Sequence, residues 1–140
     1  MKNSFINLSG AFAAYENRYG AYRWNKIGYS LVPFSSGAME HATNIAYPKV
    51  CANGNLTCQD IMAHEFSHHW WGDLATCESQ GDMWINEGMA TYSEFIFNEW
   101  MYGITAYKNM VRANHEDGVH YLHIHNGGYL PLSPVSHENT

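Results

Sequence analysis

The chain has 140 residues, 46% of them hydrophobic and 15% aromatic, which fits one domain with a real core and excludes a disordered chain. A net charge of -6 argues against nucleic acid or an anionic membrane surface as a partner, and no apolar run approaches the length of a membrane span. Met1 to Gly10 carries no basic-then-apolar pattern, so no signal peptide is expected there, and the compartment stays open.

In chain order, Phe5, Leu8, Phe12, Tyr15 and Tyr19 form one helical stripe, with Ser4 placed to cap its start and Gly20 to end it. Lys26 to Phe34 reads as a strand ended near Pro33, and Gly37 to Tyr47 as an extended edge segment. Val50 to Thr57 is turn-rich loop; Cys51 and Cys58 can close a small disulfide there, or stand as free thiols, as can Cys77. Thr57 and Asp60 have capping-box spacing before a helix whose stripe is Met62, Phe66, Trp70 and Leu74. Ser79 and Asp82 repeat that spacing before a second helix, striped by Ile85, Met89, Tyr92 and Ile96 and stopped at Gly103. A third helix from about Thr105 is expected to end at Gly118, with an irregular tail from His120. Helix, strands, then helices make an α+β chain.

The strongest feature is His64-Glu65-Phe66-Ser67-His68 on the first of these long helices. Four residues apart, the two imidazoles lie about 40° around the axis from one another and can reach one ion. Their face lies about 200° from the Met62 stripe, so one side can be buried while the other faces a cleft. In a chain with nine histidines such a pattern arises by chance often enough that a third ligand must decide. Glu87 supplies it, 19 residues after His68 in Trp84-Ile85-Asn86-Glu87-Gly88-Met89-Ala90. A glutamate on a helix is ordinarily solvated; among Trp84, Ile85 and Met89 an unpaired carboxylate would be costly, which favours a ligand. Two histidines and a carboxylate suit zinc, with a fourth position open for water.

HExxH, eighteen residues and then the glutamate of WINEGMA resembles the gluzincin metallopeptidases of the aminopeptidase N family. Gly37-Ala38-Met39-Glu40-His41 is similar to that family's exopeptidase motif, and His68-His69-Trp70-Trp71-Gly72-Asp73 resembles the segment after its zinc helix. The resemblance covers roughly residues 15 to 105 and implies a thermolysin-like catalytic domain with a small edge sheet and active-site helices. It implies that His64, His68 and Glu87 ligate one Zn²⁺, and that Glu65 is the general base acting on zinc-bound water. Glu40 would pair with the free α-ammonium of a peptide substrate, while Gly37, Ala38 and Met39 line the peptide along the strand. Without the family, Glu40 and His41 read as an ordinary exposed pair.

Two departures matter. His41 stands where the family has asparagine, which implies retuned specificity rather than loss. The family's oxyanion-stabilising tyrosine falls beyond the chain; Tyr121 and Tyr129 are the nearest, neither in the expected motif. Residues 1-140 therefore look like part of a catalytic domain, without the family's N-terminal β domain or C-terminal helical region, and exposed apolar surface leading to self-association is expected. A non-catalytic zinc-binding module and an endopeptidase of the same zinc class are the rival readings. Of the smaller signals, Thr91 and Glu94 follow Glu87 at turn spacing and can support a ligand, Glu94 reading equally well as solvent-exposed, and His69, about 100° around the axis from His68, is expected to pack or to support a ligand. The histidines of the tail lack ligand spacing.

Overall fold

A computed structural model describes residues 2–126. A 3-10 turn at Lys2–Phe5 leads into α1 (Leu8–Tyr19), β1 (Tyr29–Val32), β2 (Ile45–Pro48), α2 (Gln59–Ser67), a 3-10 segment (Gln80–Ile85), α3 (Glu87–Tyr102) and α4 (Ile104–Asn126). This is the expected α+β chain, helix-rich with a small sheet. No helix among the described residues is long and apolar enough to cross a membrane.

β1 and β2 pair in parallel, Tyr29 opposite Ile45 and Val32 opposite Pro48. The Ile45 amide bonds to the Gly28 carbonyl, at 2.8 Å, whereas both backbone groups of Ala46 bond to Met39, at 2.8 and 2.9 Å. Successive residues of a strand direct their backbone groups to opposite sides, so β2 lies between β1 and Met39. The expected edge segment is therefore real at Met39, antiparallel to Ala46. It does not run unbroken to Tyr47, because the chain turns back between His41 and Asn44.

The core forms where α1, α2 and α3 meet the inner face of the sheet: Ala11, Ala14, Tyr15, Ile45, Tyr47, Met62, Phe66, Trp70 and Phe97 are buried. Tyr15 sends its hydroxyl between the carbonyls of Ala63 and Ser93, 3.1 Å from each, so one buried polar group ties α1 to both other helices. In α1 Gly10 leaves room for Met101 of α3 to lie against its backbone, where a Cβ would collide with the thioether. The Cys51–Cys58 disulfide closes the loop into α2, with Cα atoms 5.5 Å apart. The Tyr47 hydroxyl donates to the Cys58 carbonyl at 2.9 Å. Cys77 is free and half-buried.

Several local expectations are corrected. Ser4 does not cap α1; Asn7 holds that position, and Ser4 Oγ accepts the Gly54 amide at 2.8 Å. The Thr57–Asp60 box does not form. Thr57 bonds Asn55 Oδ1 through both its amide and its hydroxyl, a local turn that competes with capping, and Asp60 accepts from Asn98 Nδ2. α2 ends at Ser67, so Leu74 falls off the stripe and is 47% exposed. On α3 the buried face runs through Ala90, Ser93, Ile96 and Phe97, leaving Tyr92 at the surface. Gly103, at φ +85°, stops α3 as expected. Gly118 does not stop α4, which continues to Asn126; a helical glycine costs only about 1 kcal/mol relative to alanine. The rest of the tail, with Tyr129, lies outside the described residues.

Candidate metal centre

The i, i+4 spacing on α2 stacks His64 and His68 one turn apart, ring centroids 4.9 Å from each other. Glu87, the first residue of α3, faces them. Its Oε2 lies 3.2 Å from His64 Nε2 and 3.7 Å from His68 Nε2, and one ligand atom from each residue falls within 4.8 Å of the others. A tetrahedral ion with bonds of about 2.0–2.1 Å holds its ligand atoms about 3.4 Å apart, so these distances fit a single small dication.

The outer ring atoms decide which nitrogens are free to ligate. His68 Nδ1 lies 2.8 Å from the Trp71 carbonyl, which can only accept, so the proton sits on Nδ1 and Nε2 carries a lone pair. His64 Nδ1 makes the same arrangement with Glu94 Oε1 at 2.7 Å. Burial disfavours the charged His64, yet the Glu94 hydrogen bond and charge, then Glu65 and Glu87, raise its pKa above the usual value. Of the two residues at turn spacing from Glu87, Glu94 is the one seen to reach a candidate ligand. Removing its charge by Glu94→Gln is expected to weaken metal affinity by about 10–100-fold, read by competition with a chelator; unchanged affinity would show that the pair does not tune the ligand.

Asn86 holds Glu87 from behind: its Oδ1 accepts the Cys77 amide at 2.9 Å and its Nδ2 reaches Thr76 Oγ1 at 3.3 Å. Sequence reasoning missed this residue, whose partners lie across a loop. The Ser79–Asp82 capping box does not form either: Ser79 Oγ donates to the Asp82 carboxylate, Oδ2 at 2.7 Å, and makes no capping bond to the backbone, and a 3-10 segment rather than the expected helix follows.

Glu65 is 7% exposed and its carboxyl is pushed up to about 7. Burial is the main cause; His64 opposes it, and Glu40, Glu87 and Glu94 add to it. A dication held by His64, His68 and Glu87 would favour its carboxylate form. Glu40, half-buried, brings a carboxylate oxygen within 4.8 Å of both Glu65 and His68 ligand atoms. Asp73 is also raised, first by burial and then by Glu40. Carboxyl groups therefore crowd this site, and an ammonium would relieve the crowding. Of the remaining motif residues, Gly37 is exposed at φ +68°, Ala38 is half-buried, Met39 is 40% exposed and His41 is at the surface. Tyr121 is exposed on α4, its ring stacked on His125 at 4.4 Å.

The model of the Peptidase family M1 domain matches residues 5–125. An Aminopeptidase N of Lactococcus lactis subsp. cremoris is 33% identical over 113 residues, covering 68% of this chain and 13% of that protein. Endoplasmic reticulum aminopeptidase 2 of Bos taurus is 38% identical over 93 residues, covering 59% of the chain and 10% of the relative. Aminopeptidase N of Canis lupus familiaris is 30% identical over an alignment covering 99% of the chain and 15% of the relative. The chain spans about one-seventh or less of the length of these relatives, and within that span it belongs to peptidase family M1.

Proposed function

We propose that the protein carrying this chain is a zinc aminopeptidase with a thermolysin-like catalytic domain, cleaving residues from the free N-termini of peptides. The observation that supports this best is the convergence of His64 Nε2, His68 Nε2 and Glu87 Oε2 at spacings suited to one ion, beside two further carboxylates. Two imidazole donors and a carboxylate form a set that suits zinc. When bound, zinc supplies Lewis acidity, polarising the scissile carbonyl and lowering the pKa of an attacking water.

The rest falls to the chain's own residues. Glu65 takes a proton from the attacking water and returns it to the leaving amine as the peptide C–N bond breaks. Its position beside His64 on α2 keeps it within reach of the centre without its being a ligand. Glu40 receives the α-ammonium, placing the first peptide bond, and no other, over the ligands. Met39 is pinned to β2 through Ala46, so the backbone of Gly37 and Ala38 can run alongside an incoming peptide as an added strand. His41 follows Glu40 and can offer an imidazole donor where the family has an amide.

The test compares a short peptide with its N-acetylated form on the zinc-loaded protein. The free peptide is expected to lose one residue at a time and the acetylated one to resist. Equal cleavage of both would favour an endopeptidase, and cleavage of neither a non-catalytic zinc module.

A further inference from the structure

We propose that His69 is a positioning residue: it ties the segment carrying Glu40 to the end of the metal-ligand helix, and thereby fixes the ammonium site relative to the metal ligands. The inference rests on Glu40 being that ammonium site. His69 is fully buried and directly follows His68. Its Nε2 lies 2.9 Å from the Thr43 amide and its Nδ1 3.1 Å from the Phe66 carbonyl. An amide can only donate and a carbonyl only accept, so the ring is a neutral bridge with its proton on Nδ1. Asp73 Oδ2, 3.8 Å from Nε2, is too far to replace the Thr43 amide as partner. Trp24, Tyr22 and Phe66 pack around the imidazole with centroids 5.2, 5.6 and 5.7 Å away, which leaves it one orientation.

The tethered segment needs such a hold. Thr43 has φ +67°, and among the described residues it is the one non-glycine with positive φ. A β-branched residue adopts that conformation only where its surroundings over-determine it. Met39 is fixed to Ala46 on one side, and Asn44 is fixed on the other by its amide on the His41 carbonyl and its Oδ1 on Ser30 Oγ. His69 grips the turn between these two anchors. Because His69 is covalently next to His68, the distance from the metal ligands to Glu40 runs through a short rigid path. A histidine that merely filled the core would be replaceable by an apolar residue of similar size, without effect on amine recognition.

The experiment uses the zinc-loaded protein and two probes, leucine hydroxamate and its N-acetyl derivative, with dissociation constants measured by calorimetry. Both can engage the metal through the hydroxamate; only the first presents an ammonium. Wild type is expected to prefer the free amine by about tenfold or more, as a charge-assisted contact would give. His69→Leu, which keeps bulk but loses the acceptor, is expected to bring that preference close to unity, with affinity for the acetylated probe and zinc stoichiometry unchanged. His69→Gln, whose Oε1 can accept the Thr43 amide, is expected to keep the preference. A preference that survives His69→Leu, or is lost equally in His69→Gln, overturns the inference. Loss of zinc binding in His69→Leu also overturns it, because the residue would then serve the metal helix itself. A wild type with no preference overturns the ammonium reading of Glu40, and this inference with it.

Discussion

Glu65→Gln is expected to lower kcat for peptide hydrolysis by about 10²–10⁴-fold while leaving zinc bound. The substitution is nearly isosteric, so the buried position beside His64 stays filled. What disappears is the ability to take a proton, since an amide oxygen accepts a hydrogen bond but does not become an acid at working pH. Stability should not fall, because Glu65 is 7% exposed and its burial and carboxylate neighbours already disfavour the charge. One negative charge fewer among Glu40, Glu87 and Glu94 eases that crowding. Steady-state kinetics on a free-amine peptide, with zinc content measured on the same sample, check the expectation. Activity within a factor of a few of wild type would remove Glu65 from the role of base. Loss of zinc together with activity would make it a ligand instead.

Phe66→Ala is expected to destabilise the fold by about 3–5 kcal/mol, read from denaturant unfolding. Phe66 is fully buried between Glu65 and Ser67, on the face of α2 away from the ligands. Its ring stacks on Phe12 at 5.8 Å and meets Tyr15, Tyr22 and Trp70 at 5.8, 5.5 and 5.4 Å. These side chains come from α1, from the segment after it and from the turn after α2. None can collapse inward without breaking other packing, as with Tyr15, whose hydroxyl is already shared between Ala63 and Ser93. Because the same helix carries His64 and His68, zinc affinity should fall with stability. A loss below about 1 kcal/mol would mean that the aromatic cluster does not hold α2 in place.

The centre was largely legible because it follows helical geometry. Four-residue spacing puts His64 and His68 on one face wherever the helix forms. The apolar neighbours of Glu87 do not bury it as expected: Trp84 is 47% exposed and the Glu87 side chain 54%, so what marks Glu87 is its facing the two imidazoles and not an apolar setting. Glu94 was half-legible: turn spacing from Glu87 marked it, but only the packing of α3 on α2 brings it to His64 Nδ1. Asn86 and the Trp71 carbonyl carried no local signal, since their partners meet them across loops. The errors arose where local chemistry had competitors. Thr57 found Asn55 before it could cap, and Asp60 found Asn98. Tyr92 lies on an apolar stripe by sequence, but α1 and α2 pack against Ser93 and Phe97, one position around the helix. In the edge segment the strand pattern hid the turn at Thr43, which positive φ at a β-branched residue makes unreadable from propensity alone. The disulfide was open from spacing and closes once Cys51 and Cys58 are brought face to face.

The most direct test of the central claim is the zinc content of the purified protein after exhaustive dialysis, alone and with each ligand replaced. Wild type is expected to retain one equivalent, and His64→Ala, His68→Ala and Glu87→Ala to lose it, while Glu40→Ala and Glu65→Gln keep it. A wild type that takes up no zinc, or a Glu87→Ala or His68→Ala variant that retains a full equivalent, would contradict the assignment of these three residues as the metal centre.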